Sequence, residues 1–174
     1  LTGYSRTQII LNKNTLFSDI QRHEIESFIR LLKKHVPIQY ILGETEFYGL
    51  PFRVNDSVLI PRPETEELVD WIRSENNRAE VLNILDIGTG SGCIAIALKH
   101  EFTNAAVEAF DISDKALETA RSNAALNKLD VEFSKVDILN VVVQNKKWDI
   151  IVSNPPYIPE LEKGEIEANV LEHE

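Results

Sequence analysis

The residues best suited to chemistry are Asn154-Pro155-Pro156-Tyr157, which follow the apolar run Trp148-Asp149-Ile150-Ile151-Val152-Ser153. Two prolines fix their own φ angles and push the residue before each into extended backbone, so the tetrapeptide is stiff. The Asn154 side chain and neighbouring backbone carbonyls can accept hydrogen bonds from a planar NH2 group while the Tyr157 ring covers its face. An amide or exocyclic amine nitrogen is a poor nucleophile because its lone pair is delocalised. A site that grips it by its hydrogens can aim that lone pair at an electrophile by positioning. Taken alone, the same residues also suit an ordinary turn after a strand.

A second group lies upstream. Val81-Leu82-Asn83-Ile84-Leu85-Asp86-Ile87 is a strand-like apolar run carrying an acid near its end. It enters Gly88-Thr89-Gly90-Ser91-Gly92, after which Cys93-Ile94-Ala95-Ile96-Ala97-Leu98-Lys99 reads as a helix. Strand, glycine turn and helix form the first unit of a nucleotide-binding α/β fold. A dinucleotide fingerprint would place its third glycine at Cys93, so the spacing disfavours a pyrophosphate cradle. No Lys-Ser/Thr pair follows the glycines, which removes the P-loop reading. Asp86 is a poor neighbour for phosphate and suits a cationic ligand bearing an amino group, such as S-adenosylmethionine.

The elements that must present these groups repeat one pattern. Ala105-Ala106-Val107-Glu108-Ala109-Phe110 reads as a strand ending at Asp111, where an acid accepts hydrogen bonds from ribose hydroxyls in such folds. Ser113 or Asp114 can cap a helix running through Ala116, Leu117, Ala120, Ala124 and Leu126. A third strand, Val131–Val136, reaches Asp137-Ile138, an acid for an adenine amino group and an aliphatic face for its ring. The fourth strand delivers Asn154. Each strand thus sets a polar residue at its carboxyl end, where open α/β sheets bind ligands.

Gly88–Gly92 after Leu85-Asp86-Ile87, the Asp111 tip and Asn154-Pro155-Pro156-Tyr157 resemble the class I methyltransferases that modify planar amide or amine nitrogens. With Glu44-Thr45-Glu46-Phe47-Tyr48-Gly49 and Ile60-Pro61-Arg62-Pro63-Glu64-Thr65-Glu66, the chain resembles the HemK/PrmC family of release factor glutamine methyltransferases from about Pro37 onward. That resemblance implies a Rossmann-like α/β domain and N5-methylation of the glutamine in the Gly-Gly-Gln motif of peptide chain release factors, with S-adenosylmethionine as donor. It also implies roles. Asn154 and the Pro155 carbonyl take the two hydrogens of the substrate carboxamide, with Pro156 and Tyr157 completing the slot. Gly88, Thr89, Gly90, Ser91 and Gly92 hold the methionine part near Asp86. Asp111 holds the ribose, Asp137 and Ile138 the adenine, and Asn154 borders the donor as well. Arg62, Pro63, Glu64 and Thr65 are expected to close over the cofactor, although Pro63 and the acids after it also make a good helix start.

Three parts are expected. Residues 1–43 form a helical substrate-docking segment, with Ile9, Ile10, Ile25, Phe28, Ile29, Leu31 and Leu32 near helical spacing and Pro37 ending the run. Residues 44–61 form a β-hairpin linker with turns at Gly49-Leu50 and Asn55-Asp56. Residues 62–174 form the methyltransferase domain, lacking its C-terminal strands. Leu1 suggests that sequence precedes this chain, and the family's remaining strands are expected after Glu174. The polar, acidic stretch Ile158–Glu167 is where the chain departs from the family.

Composition bounds the alternatives. Hydrophobic residues make up 43% of the chain, enough for a packed core. One cysteine cannot form an internal disulfide, and no Cys/His group has metal-ligand spacing, so no metal is expected. The absence of a long apolar stretch or signal peptide leads to the expectation of a cytoplasmic protein without membrane contact. A net charge of −10 argues against an amino-methyltransferase of adenine or cytosine in nucleic acid, the main rival for the same slot. A second rival is an inactive fragment that only binds S-adenosylmethionine.

Overall fold

In the computed structural model, residues 6–12, 16–140 and 146–155 are described. The N-terminal periodicity resolves into helices α1 (Arg6–Leu11), α2 (Asp19–Leu32) and α3 (Ile38–Leu42). Ser18 caps α2 in a capping box with Gln21, each serving the other's backbone N–H. None of the residues of α2 is buried, and Ile29, Leu31 and Leu32 remain exposed. The link to the rest runs through Tyr40 of α3, which packs on Val54, Val58 and Ala116 and donates its hydroxyl to the Val58 carbonyl at 2.8 Å.

Strands β1 (Glu44–Phe47) and β2 (Leu50–Arg53) form an antiparallel hairpin. The turn falls at Tyr48-Gly49 rather than the expected Gly49-Leu50, with φ of 53° and 71° at its two residues. Positive φ at both positions is what a two-residue hairpin loop needs. Tyr48 accepts it because it is held twice: its N–H donates to Glu66 and its hydroxyl to Asp70, both at 2.7 Å. On the inner side Phe47 and Phe52 are fully buried, edge to face.

Helix α4 (Glu64–Glu75) starts one residue later than expected, with helical backbone already at Pro63 and acids Glu64, Glu66 and Glu67 in its first turn. Beyond it, β3 (Asn83–Ile87), α5 (Cys93–Glu101), β4 (Ala106–Asp111), α6 (Asp114–Asn127), β5 (Glu132–Lys135) and β6 (Ile150–Ser153) build a parallel sheet ordered β5-β4-β3-β6. The chain grows outward from β3 through β4 to β5, then returns to pair β6 on the other side of β3. Strand order reverses there, so a crevice opens between the carboxyl ends of β3 and β6.

One face of the sheet, with Ile84, Val107, Ala109 and Val152, meets α4 and α5 in the main core. Residues Cys93–Leu98 of α5 are buried all round, as expected for a helix with no polar face. On the opposite face Trp148 covers Phe110 edge to face and donates its indole N–H to Glu108, which also pairs with Lys146 at 2.6 Å. Among the described residues β6 is an edge strand, and Ile151 on it is 59% exposed.

Candidate active site

Asp86 ends the apolar part of β3 and is 1% exposed. Its Oδ2 accepts the Thr89 hydroxyl at 2.6 Å, whereas Oδ1 has no hydrogen-bond partner. Burial pushes the acid from 3.8 up to about 6, the Thr89 hydroxyl and the nearby Ala95 N–H pull it part of the way back, and the nearby Asp111 charge raises it again. A buried carboxylate with one empty acceptor is an unfinished interaction, and a cation would complete it.

The glycine loop crosses directly above this acid. Gly88 and Thr89 donate their N–H groups to the Phe110 carbonyl at 2.9 and 3.0 Å, and Gly92 donates to Thr89. The Gly90 N–H donates to Asp111 Oδ2 at 2.9 Å, and Asp111 Oδ1 takes the Ser113 N–H. These amides are therefore turned into the protein, which gives the physical reason this loop is no phosphate cradle. Gly88 and Gly90 have positive φ and would carry a Cβ into open space, so no side chain of the protein covers the loop at these two positions. At Gly92 a Cβ would instead press on Ala120 and Ile96 at 3.1 Å.

Asp111 thus holds the loop's shape with part of its acceptor capacity, and each of its oxygens retains a further lone pair. Asp137 lies after β5 rather than on it, and its oxygens accept from the Leu139 N–H and Asn140 side chain at 3.1 and 2.7 Å. Ile138 beside it is exposed. The thiol of Cys93 is buried and pushed up to about 12 by that burial, which makes it a packing residue.

Asn154 follows β6. The register pairs Ile87 with Ser153, and the Ser153 hydroxyl donates to the Ile87 carbonyl at 2.8 Å. Gly88 and Asn154 therefore leave neighbouring strands side by side. The Asn154 amide donates to the Thr65 hydroxyl at 3.2 Å, which brings the first turn of α4 to the acceptor side of the crevice. Pro155 is described and exposed. Pro156 and Tyr157 lie outside the described residues, as does the stretch Ile158–Glu167.

One residue that sequence reasoning passed over is central to this arrangement. Asn123 is fully buried on α6, with its amide shared between the Ser91 and Arg53 carbonyls. A polar residue on the helical stripe of Ala116, Ala120 and Ala124 was the available signal. Among the described residues, no group of three or more His, Cys, Asp or Glu could hold a metal ion. No described helix is long and apolar enough to cross a membrane.

A glycine-looped parallel sheet in this order, with acids at the tips of its first two strands, defines the class I methyltransferase fold. The fold likeness extends to the tRNA (uracil-54, C5)-methyltransferase of Pyrococcus abyssi in complex with S-adenosyl-L-homocysteine, with a TM-score of 0.53, 23% identity, and coverage of 65% of this chain and 28% of that one. The chain belongs to the methyltransferase small domain family, whose profile matches residues 65–173. A PrmC N-terminal domain profile matches residues 1–43. It is 54% identical to the release factor glutamine methyltransferase of Flavobacterium psychrophilum over 97% of this chain and 60% of that protein. It is 48% identical to that of Bacteroides thetaiotaomicron over 100% of this chain and 62% of the relative. The chain thus spans about 60% of the length of these curated relatives.

Proposed function

We propose that the crevice transfers a methyl group from S-adenosylmethionine to the side-chain amide nitrogen of a glutamine, the one in the Gly-Gly-Gln motif of peptide chain release factors. The observation that carries this reading is the pairing of β3 with β6. It sets the open Gly88 turn about one strand spacing, roughly 5 Å, from the Asn154 carboxamide, with the buried Asp86 two residues back along β3. The names of the curated relatives support the choice of acceptor.

The residues fit the donor. Asp86 is a buried carboxyl with an unpartnered oxygen beneath the loop, whose negative charge favours an ammonium group in the crevice above it, and the open faces of Gly88 and Gly90 leave room for an extended chain. Thr89 and Ser91 lie within the same loop, and Asp111 has acceptor capacity for hydroxyls. In this reading Asp137 and Ile138 serve the base. When bound, S-adenosylmethionine supplies an electrophilic methyl on a sulfonium.

The chain's own part is to orient the acceptor. Asn154 Oδ1 and the Pro155 carbonyl accept the two hydrogens of the substrate carboxamide, Pro156 stiffens the slot, and Tyr157 covers the amide plane. Thr65 engages the Asn154 amide, so Oδ1 remains the group offered to substrate. No strong base is required, because the nitrogen becomes acidic once it carries a new substituent and positive charge. Positioning of this kind is worth several orders of magnitude in rate.

Residues 1–43 and 44–61 are read as the docking segment and hairpin linker, and 62–174 as the catalytic domain. A translation factor as substrate places the protein in the cytoplasm. The test is Asn154→Ala, assayed for methyl transfer to an unmethylated release factor and for S-adenosylhomocysteine binding by calorimetry. Turnover should fall about 10²- to 10³-fold with donor-side affinity kept within a few-fold. Unchanged turnover would remove Asn154 from the acceptor slot and overturn this reading.

A further inference from the structure

Helix α6 treats the outer edge of β2 as if the helix were a partner strand. Residues Thr119, Asn123 and Asn127 recur every four positions on one face of the helix. They meet Asn55, Arg53 and Pro51, which recur every two positions at and beyond the end of β2. The Asn127 amide donates to the Pro51 carbonyl at 2.9 Å. Asn123 takes the Arg53 N–H at 2.7 Å and donates to the Arg53 carbonyl at 3.0 Å, as a peptide group would. The Asn55 amide donates to the Thr119 hydroxyl at 3.0 Å. Four helical residues rise about 6 Å and two strand residues about 6.6 Å, so the rungs stay in step.

Among the described residues, the middle rung alone reaches a third segment. The same Asn123 amide donates to the Ser91 carbonyl at 2.9 Å, and the residue is completely buried. Three segments distant in sequence therefore meet on one carboxamide: the glycine loop, the hairpin and α6.

We propose that Asn123 is a positioning residue that fixes the Gly88–Gly92 loop and couples it to the hairpin, without itself touching the ligand. The consequence for methyl transfer rests on the function proposed above, but the order of the loop can be read without any ligand.

The experiment is hydrogen exchange on the whole chain, followed in peptides covering the loop and β2, for the parent and for Asn123→Ala, Asn127→Ala and Thr119→Val. With Asn123→Ala, both loop and hairpin should exchange about tenfold faster. The Asn127→Ala and Thr119→Val chains should show the change in the hairpin alone. Asn123→Asp can still accept from the Arg53 N–H but has no N–H for the Ser91 or the Arg53 carbonyl. The loop thus loses its one bond to this side chain while the hairpin keeps one of two, and the loop should loosen more. This variant decides the matter if the alanine chain does not fold. Calorimetry with S-adenosylhomocysteine should show about tenfold weaker binding for Asn123→Ala and a change within twofold for Asn127→Ala. Equal loosening of the loop in the Asn123 and Asn127 variants, or none with Asn123→Asp, would overturn the proposal. If the parent chain itself bound no S-adenosylhomocysteine, the donor reading would fail, while loop exchange would still decide the role of Asn123.

Discussion

Asp86 shows at residue scale how the site trades stability for readiness. Its carboxyl titrates near 6 in the folded chain against 3.8 when free, because burial penalises the charge. The folded state therefore binds the proton more tightly than the unfolded one. The stability this confers is full below about pH 4 and lost as pH rises through about 6, a swing on the order of 3 kcal/mol. Asp86→Asn should accordingly raise the melting temperature at pH 8 and change it little at pH 4. The same substitution should weaken S-adenosylhomocysteine at least about tenfold by removing the counter-charge for its ammonium. Thermal melts at both pH values check the first claim, and a variant no more stable at pH 8 would contradict the burial argument. Asp86 and Asn154 were legible in the sequence because each sits at a punctuated strand end. Asn123 was not, since its partner Arg53 lies 70 positions away and no local spacing reports that contact. Thr65, expected over the cofactor, bonds Asn154, a long-range contact that only the fold reveals.

At the scale of elements, two of the loop's three glycines, Gly90 and Gly92, differ in what limits them. Both have positive φ, which costs an alanine about 1–2 kcal/mol. At Gly90 the added carbon stands in the open crevice, so Gly90→Ala should cost little more than that strain while impairing ligand binding. At Gly92 it also meets Ala120 and Ile96, so Gly92→Ala should lose about 2–4 kcal/mol. Denaturant unfolding separates the two, and equal losses would contradict the packing account. Helix α6 ends on Lys128, an exposed residue held left-handed at φ 57°. Lys128→Gly should stabilise the chain by about 1 kcal/mol in the same assay. The strands of the parallel sheet were readable to within one or two residues, because three are short, mostly apolar runs, Val131–Val136 alternates apolar and polar residues, and Gly, Asp or Asn bounds each. The hairpin turn was not, since Tyr48 adopts a glycine-like backbone only with help from Glu66 and Asp70 on another element.

For the whole molecule, the order β5-β4-β3-β6 is the feature on which function turns, and sequence alone does not state which strands become neighbours. The resemblance to a family implied a Rossmann-like sheet without its strand order, and the observed register sets Gly88 beside Asn154. The net charge of −10 belongs to this scale as well, since it disfavours a polyanionic acceptor. The measurement that bears most directly on the account is the intact mass of an unmethylated release factor after incubation with the chain and S-adenosylmethionine, run beside a factor whose Gly-Gly-Gln glutamine is replaced. The account predicts a gain of one methyl on the first factor and none on the second. A methyl on the substituted factor, or none on either while the chain holds S-adenosylmethionine, would contradict it.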